Sequence, residues 1–257
     1  MKYGVQLYSL REYISKNGLE KALQMVSSCG YDGVEFYDFY NLKPQEIKEC
    51  LDRNNLVAIS FHISAWDVKK YSEYIELIKP EIIFDAWDDG RPIEEYIKVI
   101  KEAYKYLNSR SILFGHHNHF QEFDGEADRM WEMVTAVDNF KIELDVFWTE
   151  IAKKNTLCLM DKYSDSLYCL HIKEMGIDGR IGANPVVGSG LLPMSEIIKK
   201  ANKMILKWLI LEVNLFDIKE DLYLNKSLEF MKSASTKTKG NSSEETIKKV
   251  SLPKVKD

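Results

Sequence analysis

Short apolar runs alternate with longer amphipathic segments along most of this chain. The runs are rich in Val, Ile, Phe and Tyr, whereas the segments between them have helical spacing and frequent Glu and Lys. The runs predict eight strands, at residues 3–8, 33–37, 57–62, 82–86, 112–117, 141–146, 168–172 and 208–213. The segments predict helices at residues 19–28, 44–54, 67–78, 93–107, 127–137, 149–163, 194–204 and 221–231.

Repeated strand-then-helix order predicts parallel strands joined by helical crossovers, in either a closed barrel or an open doubly wound sheet. Eight strands in 257 residues favour closure, since one TIM barrel takes about 250 residues. The first strand is not followed by the G-x-G-x-x-G turn of a dinucleotide-binding open sheet. We therefore predict an α/β fold, a single (β/α)₈ TIM barrel over residues 1–232. Residues 233–257, rich in Ser, Thr and Lys, are predicted to be a disordered tail.

Composition narrows the class of protein. Apolar residues make up 45% and charged residues 29%, as in an ordinary globular protein. A net charge of −5 argues against a nucleic-acid partner, which needs clustered Lys and Arg. The chain shows neither a secretory signal nor a long apolar span, and its four cysteines form no C-x-x-C pair. We expect a cytoplasmic protein with reduced, buried thiols and no membrane partner.

Polar residues close several of the apolar runs, and in a TIM barrel such positions lie at the mouth that carries active sites. They are His62 after the third run, HHNH (116–119) and Glu122 after the fifth, Asp145 after the sixth, His171, Lys173 and Glu174 after the seventh, and Glu212 and Asn214 after the eighth. Converging buried carboxylates need a shared counter-charge. We expect a divalent cation at Asp145, His171 and Glu212, with Mn²⁺ first, then Co²⁺, Zn²⁺ or Fe²⁺, and Mg²⁺ less suited to imidazole.

Strict alternation places His117 and His119 on one face of the fifth strand. Gly115 before them suits a crowded interior, so we expect these two side chains to point into the barrel. Either a catalytic or an orienting role fits them.

Six motifs together resemble the xylose-isomerase-like superfamily of sugar phosphate isomerases and epimerases, over residues 1–231. They are GVQLYSLRE, GYDGVEFY, HHNHFQEF, ELDVFW, LHIKE and LEVN, and the segment VGSGL (187–191) resembles the G-x-G loop of that family. The resemblance implies one divalent metal ion bound by Asp145, His171 and Glu212, with Glu122 as the fourth ligand and His117 as its substitute.

The resemblance also implies chemistry on a keto-sugar or related polyol through an enediolate. The candidate catalytic residues are Glu122, Glu212, Lys173 and His119, with Lys173 holding or protonating a substrate oxygen. The candidate substrate-binding residues are Tyr8, His62, His117 and Trp148. Three further aromatic residues near the mouth, Phe36, Trp66 and Trp87, are less favoured for stacking on a sugar.

Other functions fit the same sequence. Loss of a leaving group from the enediolate would make the protein a dehydratase or a 3-keto-glycoside lyase or hydrolase. A non-catalytic sugar-binding barrel is the alternative of another class, whereas an abasic-site nuclease would need more metal ligands and a basic surface. The sequence shows no evident phosphate-binding loop beyond VGSGL, so we expect the partner to be an unphosphorylated small-molecule carbohydrate. The sequence does not decide whether the chain forms a homo-oligomer.

Overall fold

Eight parallel strands close into a barrel in this computed structural model, which describes residues 1–86, 92–123, 128–177 and 182–236. The barrel strands are β1 (Lys2–Gln6), β2 (Gly33–Phe36), β3 (Val57–His62), β4 (Ile82–Ala86), β5 (Leu113–His117), β6 (Lys141–Asp145), β7 (Leu167–Ile172) and β9 (Trp208–Leu211). Each pairs with its predecessor in the barrel, and β9 also pairs with β1. The predicted (β/α)₈ barrel is confirmed, and the predicted strands agree with the observed ones to within two residues.

Helices surround the barrel. They are α1 (Arg11–Asn17), α2 (Leu19–Ser28), α3 (Pro44–Arg53), α4 (Ser72–Ile78), α5 (Ile93–Asn108), α6 (Arg129–Ala136), α7 (Val146–Ile151), α8 (Thr156–Lys162), α9 (Met194–Lys203) and α10 (Glu220–Thr236), with 3-10 turns at Leu7–Leu10 and Gln121–Phe123. A two-stranded sheet pairs β8 (Ala183–Asn184) with β10 (Leu215–Phe216). In the part of the chain that the structure describes, none of these helices has both the length and the apolar character to cross a membrane.

The helix predicted at residues 67–78 begins only at Ser72. Side chains that cap the backbone account for three other boundaries that differ from the predictions. The first strand stops at Gln6, whose Oε1 accepts a hydrogen bond from the Tyr8 amide at 3.1 Å and so begins a 3-10 turn. The predicted helix 149–163 is two helices: Asp145 caps α7, and Asn155 caps α8 by accepting from the Cys158 amide at 3.0 Å.

The last helix continues to Thr236, so residues 233–236 are helical rather than part of a tail. Residues 237–257, where the rest of the tail was predicted, lie outside the described residues, as does residue 127 at the predicted start of α6. All four cysteines are free thiols; Cys50 and Cys169 are buried as predicted, whereas Cys158 is exposed.

The interior of the barrel holds a cluster of apolar side chains. Its members are Ile59, Ile82, Phe84, Cys169, Trp208 and Ile210. A Cβ built on Gly115 would lie 2.4 Å from the carbonyl oxygen of Lys141 and 2.8 Å from the Phe84 ring, so only glycine fits there. This confirms the crowded interior inferred from Gly115, and it leaves the polar side chains later in the strands to fill the mouth.

Candidate active site

Buried acids and histidines fill the C-terminal mouth of the barrel. They come from β2 (Glu35), β3 (His62), β5 (His117), β6 (Glu143, Asp145), β7 (His171) and the residue after β9 (Glu212). Glu35, Glu143, Asp145 and His171 have no exposed surface. Four carboxylates in one apolar enclosure are stable only if cations or hydrogen-bond donors compensate them.

Two β-bulges aim these side chains at one another. Val34 pairs with Ala58 but Glu35 pairs with Ser60, so the register skips one residue of β3. Ile142 pairs with Leu167 but Glu143 pairs with Cys169, so it also skips one residue of β7. Because a bulge turns the following side chains to the other face, the far ends of β3 and β7 present polar side chains to the acids on β2 and β6.

One set of donor atoms lacks partners. Asp145 Oδ2, His171 Nδ1 and His117 Nδ1 are buried and make no aligned hydrogen bond to the described residues, although His117 Nδ1 lies 3.2 Å from Glu143 Oε2. His171 Nδ1 lies 2.8 Å from Glu212 Oε2 and 3.8 Å from Asp145 Oδ2, without hydrogen-bond alignment. Ligand atoms of these four residues lie within 4.8 Å of one another. A divalent cation would satisfy all of them, and imidazoles with carboxylates suit Mn²⁺, Fe²⁺, Co²⁺ or Zn²⁺.

A second set shares His117 and His171 with the first and adds His62 and Glu143, which contact each other. His62 Nε2 lies 2.7 Å from Glu143 Oε2, and Cys169 Sγ donates to Glu143 Oε1 at 3.2 Å. Burial lowers the pKa of His62, but Glu35 and Glu143 outweigh burial and raise it to about 10. Burial raises the pKa of Glu143, but His171 and His62 bring it well below its usual range. Glu143 is thus compensated by neighbouring histidines, whereas Asp145 keeps one oxygen without a hydrogen bond.

Lys173 is a cation buried beside the first set. Its Nζ donates to Glu212 Oε1 at 2.8 Å and lies 5.1 Å from the Trp148 ring centroid. Burial lowers its pKa, but Glu212 and Asp145 outweigh burial and raise it, so the side chain stays an ammonium. Burial raises the pKa of Asp145 to about 7 against the opposing charge of Lys173. Since the protein neighbours of Asp145 compensate its negative charge so poorly, this carboxylate is a candidate metal ligand.

A cavity of about 230 Å³ opens above these side chains. It is lined by Gln6, Tyr8, Tyr37, His62, Ala86, His117, His119, Trp148, Lys173, Glu212 and Asn214. The structure thus brings together all four predicted substrate-binding residues and three of the four predicted catalytic ones. Pockets for drug-sized ligands measure roughly 300–1,000 Å³, so this cavity suits a smaller molecule.

A model of the xylose isomerase-like TIM barrel family matches residues 80–234, more than half of the chain. This chain belongs to the xylose isomerase-like TIM barrel family. No curated protein sequence matches it.

Solved structures similar to this xylose isomerase-like barrel include a sugar phosphate isomerase/epimerase from Parabacteroides distasonis, 20% identical, with a TM-score of 0.73 over 92% of this chain and 94% of that one. A D-allulose 3-epimerase from Methylomonas sp. is 14% identical, with a TM-score of 0.72 over 91% and 98%. The probable 3-DHS dehydratase of petrobactin synthesis from Bacillus anthracis is 13% identical, with a TM-score of 0.71 over 90% and 99%. At these identities the likeness is one of fold.

Glu122, predicted as the fourth ligand, lies apart from the metal-ligand sets of the described part of this xylose isomerase-like barrel. Its Oε1 lies 2.7 Å from His116 Nε2, and its Oε2 accepts from the His119 amide at 2.9 Å. The 3-10 turn Gln121–Phe123 folds the carboxylate back onto β5 rather than into the mouth. His117, the substitute, is the β5 residue that joins Asp145, His171 and Glu212. Glu122 instead shapes the segment that carries His119.

The G-x-G loop of this family barrel binds the chain's own carboxylate. The amides of Gly188 and Leu192 donate to Glu174 at 2.9 and 3.1 Å. A Cβ on Gly190 would lie 2.6 Å from Glu174 Oε1, so glycine lets the loop wrap around this acid. These amides are therefore not available as a phosphate cradle.

Among the other mouth aromatics, Phe36 is core, with 1% of its surface exposed, and Trp66 is 49% exposed. Neither lines the cavity. Trp87 lies outside the described residues. His119, in contrast, packs edge-on against Trp148 at 5.4 Å, and burial lowers its pKa, so that its ring is neutral.

Proposed function

We propose that this protein is a divalent-metal-dependent isomerase or epimerase of a keto-sugar or related polyol. The observation that carries the proposal is the set of three buried, unpartnered atoms, Asp145 Oδ2, His171 Nδ1 and His117 Nδ1, beside Glu212 at the floor of a small polar cavity. Membership of the xylose isomerase-like family and its likeness in fold to epimerases support the proposal.

His117, Asp145, His171 and Glu212 would hold the ion, for which Mn²⁺ is our first choice. When bound, the ion supplies Lewis-acid stabilisation of negative charge on substrate oxygens. The buried side chains around it lower the local dielectric constant, which strengthens the charge interactions there.

The chain's own groups would bind the substrate and move the proton. The Lys173 ammonium, held between Glu212 and the Trp148 ring, donates a hydrogen bond to a substrate oxygen. The neutral His119 imidazole, at the cavity wall, takes the proton from the carbon next to the carbonyl and leaves an enediolate. Return of this proton to the former carbonyl carbon, with transfer of the hydroxyl proton to the other oxygen, isomerises the sugar. Delivery of a proton to the opposite face of the original carbon, by Glu212 after it has taken one up, epimerises the sugar.

Dehydration is the second candidate, because a dehydratase shares this fold at a similar TM-score. Expulsion of a β-hydroxyl or a glycosidic group from the same enediolate would give a dehydrated or cleaved product. Product mass separates the two reactions, since an isomer keeps the mass of the substrate.

Solvent deuterium exchange at carbon tests the proposal. Keto-sugars incubated with the protein and Mn²⁺ in D₂O should gain deuterium next to the carbonyl, and Glu212→Gln and Asp145→Asn should abolish this gain while remaining folded. The matched control is Lys207→Met, which removes an ion pair with Glu81 from the far end of the barrel and should exchange normally. Exchange that survives both site substitutions and chelation would contradict the proposal.

A further inference from the structure

Glu35 is a fully buried acid with four polar neighbours. Gln6 Nε2 donates to Oε1 at 2.6 Å, and the Ser60 hydroxyl donates to Oε2. His171 Nε2 lies 2.6 Å from the same Oε1, and His62 Nε2 lies 3.1 Å from it. Gln6 and His62 line the cavity, but Glu35 itself does not, so Glu35 does not face a substrate.

The two ring nitrogens of His171 face opposite surroundings. Nε2 points at Glu35 Oε1 and lies 3.1 Å from Glu143 Oε1, whereas Nδ1 points at Glu212 and Asp145. Since Oε1 of Glu35 already accepts the Gln6 amide, it is an acceptor toward His171 as well, and Nε2 must carry the proton. Nδ1 is then the ring nitrogen that is left to bind a cation beside Glu212 and Asp145.

We infer that Glu35 is a positioning residue that fixes His171 in the Nε2–H tautomer and aims Nδ1 at the proposed ion; the inference rests on the proposed function. A histidine that binds a metal donates its other N–H to a carboxylate or carbonyl, which sets the tautomer and raises the basicity of the ligand. Glu35 meets this geometry at 2.6 Å, from a strand that supplies no ligand.

Two substitutions separate the charge of Glu35 from its hydrogen bond. Glu35→Gln keeps an oxygen for Gln6 and His171 if its amide nitrogen faces Ser60, whose hydroxyl can turn and accept. Glu35→Ala removes the acceptor altogether. The affinity for Mn²⁺ should fall roughly 10- to 100-fold in Glu35→Ala, the usual effect of losing such a partner, and less in Glu35→Gln.

The experiment measures Mn²⁺ affinity by electron paramagnetic resonance of the free ion, and the His171 tautomer by long-range ¹H–¹⁵N NMR of the Zn²⁺-loaded full chain. The His171 resonances are assigned by their absence in His171→Gln. We expect Zn²⁺ on Nδ1 and the proton on Nε2 in the wild type and in Glu35→Gln, and a mixture of rings bound through Nδ1 and through Nε2 in Glu35→Ala. If Glu35→Ala does not fold, the smaller loss of Mn²⁺ affinity expected in Glu35→Gln still tests the inference.

The control is Glu81→Gln, which removes a carboxylate from the other end of the barrel and should leave Mn²⁺ affinity unchanged. The inference is overturned if the folded Glu35 variants bind Mn²⁺ within twofold of the wild type, or if His171 carries its proton on Nδ1. A wild type that binds no Mn²⁺ would overturn the proposed function as well, so the two failures are distinguishable.

Discussion

Lys173→Met should weaken the metal-free protein while strengthening its hold on a divalent ion. The substitution removes an ammonium 2.8 Å from Glu212 Oε1 and keeps an apolar chain of similar length against Phe147 and Trp148. At an effective dielectric constant of about 20, the lost attraction is about 6 kcal/mol before desolvation is counted. Breaking a buried ion pair from one side costs about 3–5 kcal/mol net, so the metal-free variant should unfold at much lower urea concentration.

A bound divalent ion takes over the role of the missing ammonium. If the ion restores even about 1.4 kcal/mol of the stabilisation lost with the ammonium, it binds roughly tenfold more tightly. Mn²⁺ should therefore bind the variant at least about tenfold more tightly than the wild type. Deuterium exchange into substrate should still fall, because the donor to the substrate oxygen is lost. Urea unfolding with Mn²⁺ and with chelator checks this, with Lys207→Met as the control for a lost surface pair worth about 0–1 kcal/mol. If Mn²⁺ stabilises the variant no more than the wild type, Lys173 and the ion do not share Glu212.

Three further outcomes are expected. Gly115→Ala should cost about 1–3 kcal/mol in urea unfolding, because its Cβ would meet the Lys141 carbonyl at 2.4 Å; an unchanged midpoint would refute the close approach. Burial raises the pKa of Glu81, but its hydrogen-bond partners outweigh burial and lower it. The stabilisation by Glu81 should therefore be lost as the pH falls below 4.5 through the folded pKa, and Glu81→Gln should flatten the dependence of stability on pH there. Parallel stability profiles of the variant and the wild type would contradict this. His117→Ala should lose more bound Mn²⁺ than Glu122→Gln in metal analysis, and the reverse order would restore Glu122 as the ligand.

The barrel could be predicted because its strands are buried on both faces and therefore form unbroken apolar runs between amphipathic helices. Asp145, His171 and Glu212 could be found because each follows or closes such a run. The break in the predicted helix 149–163 could not be predicted, because it depends on Asn155 capping a second helix.

Glu35 and Glu143 were missed because they lie within apolar runs rather than at their ends. Glu143 shares the face of Asp145 two residues later, which alternation alone could have indicated. Glu35 depends on a β-bulge that brings Ser60 and His62 beside it, and a bulge in β3 has no mark in the residue pattern. Glu122 was misplaced because the family resemblance suggested an acid, whereas the fold of its 3-10 turn decides which way that acid points.

The proposed ion tests the central claim most directly. Chelated protein dialysed against Mn²⁺ and analysed for metal should carry one ion per chain, and Asp145→Asn, which neutralises the unpartnered oxygen while keeping its shape, should carry almost none. A wild type without bound metal, or an Asp145→Asn chain that binds as much as the wild type, would contradict the account.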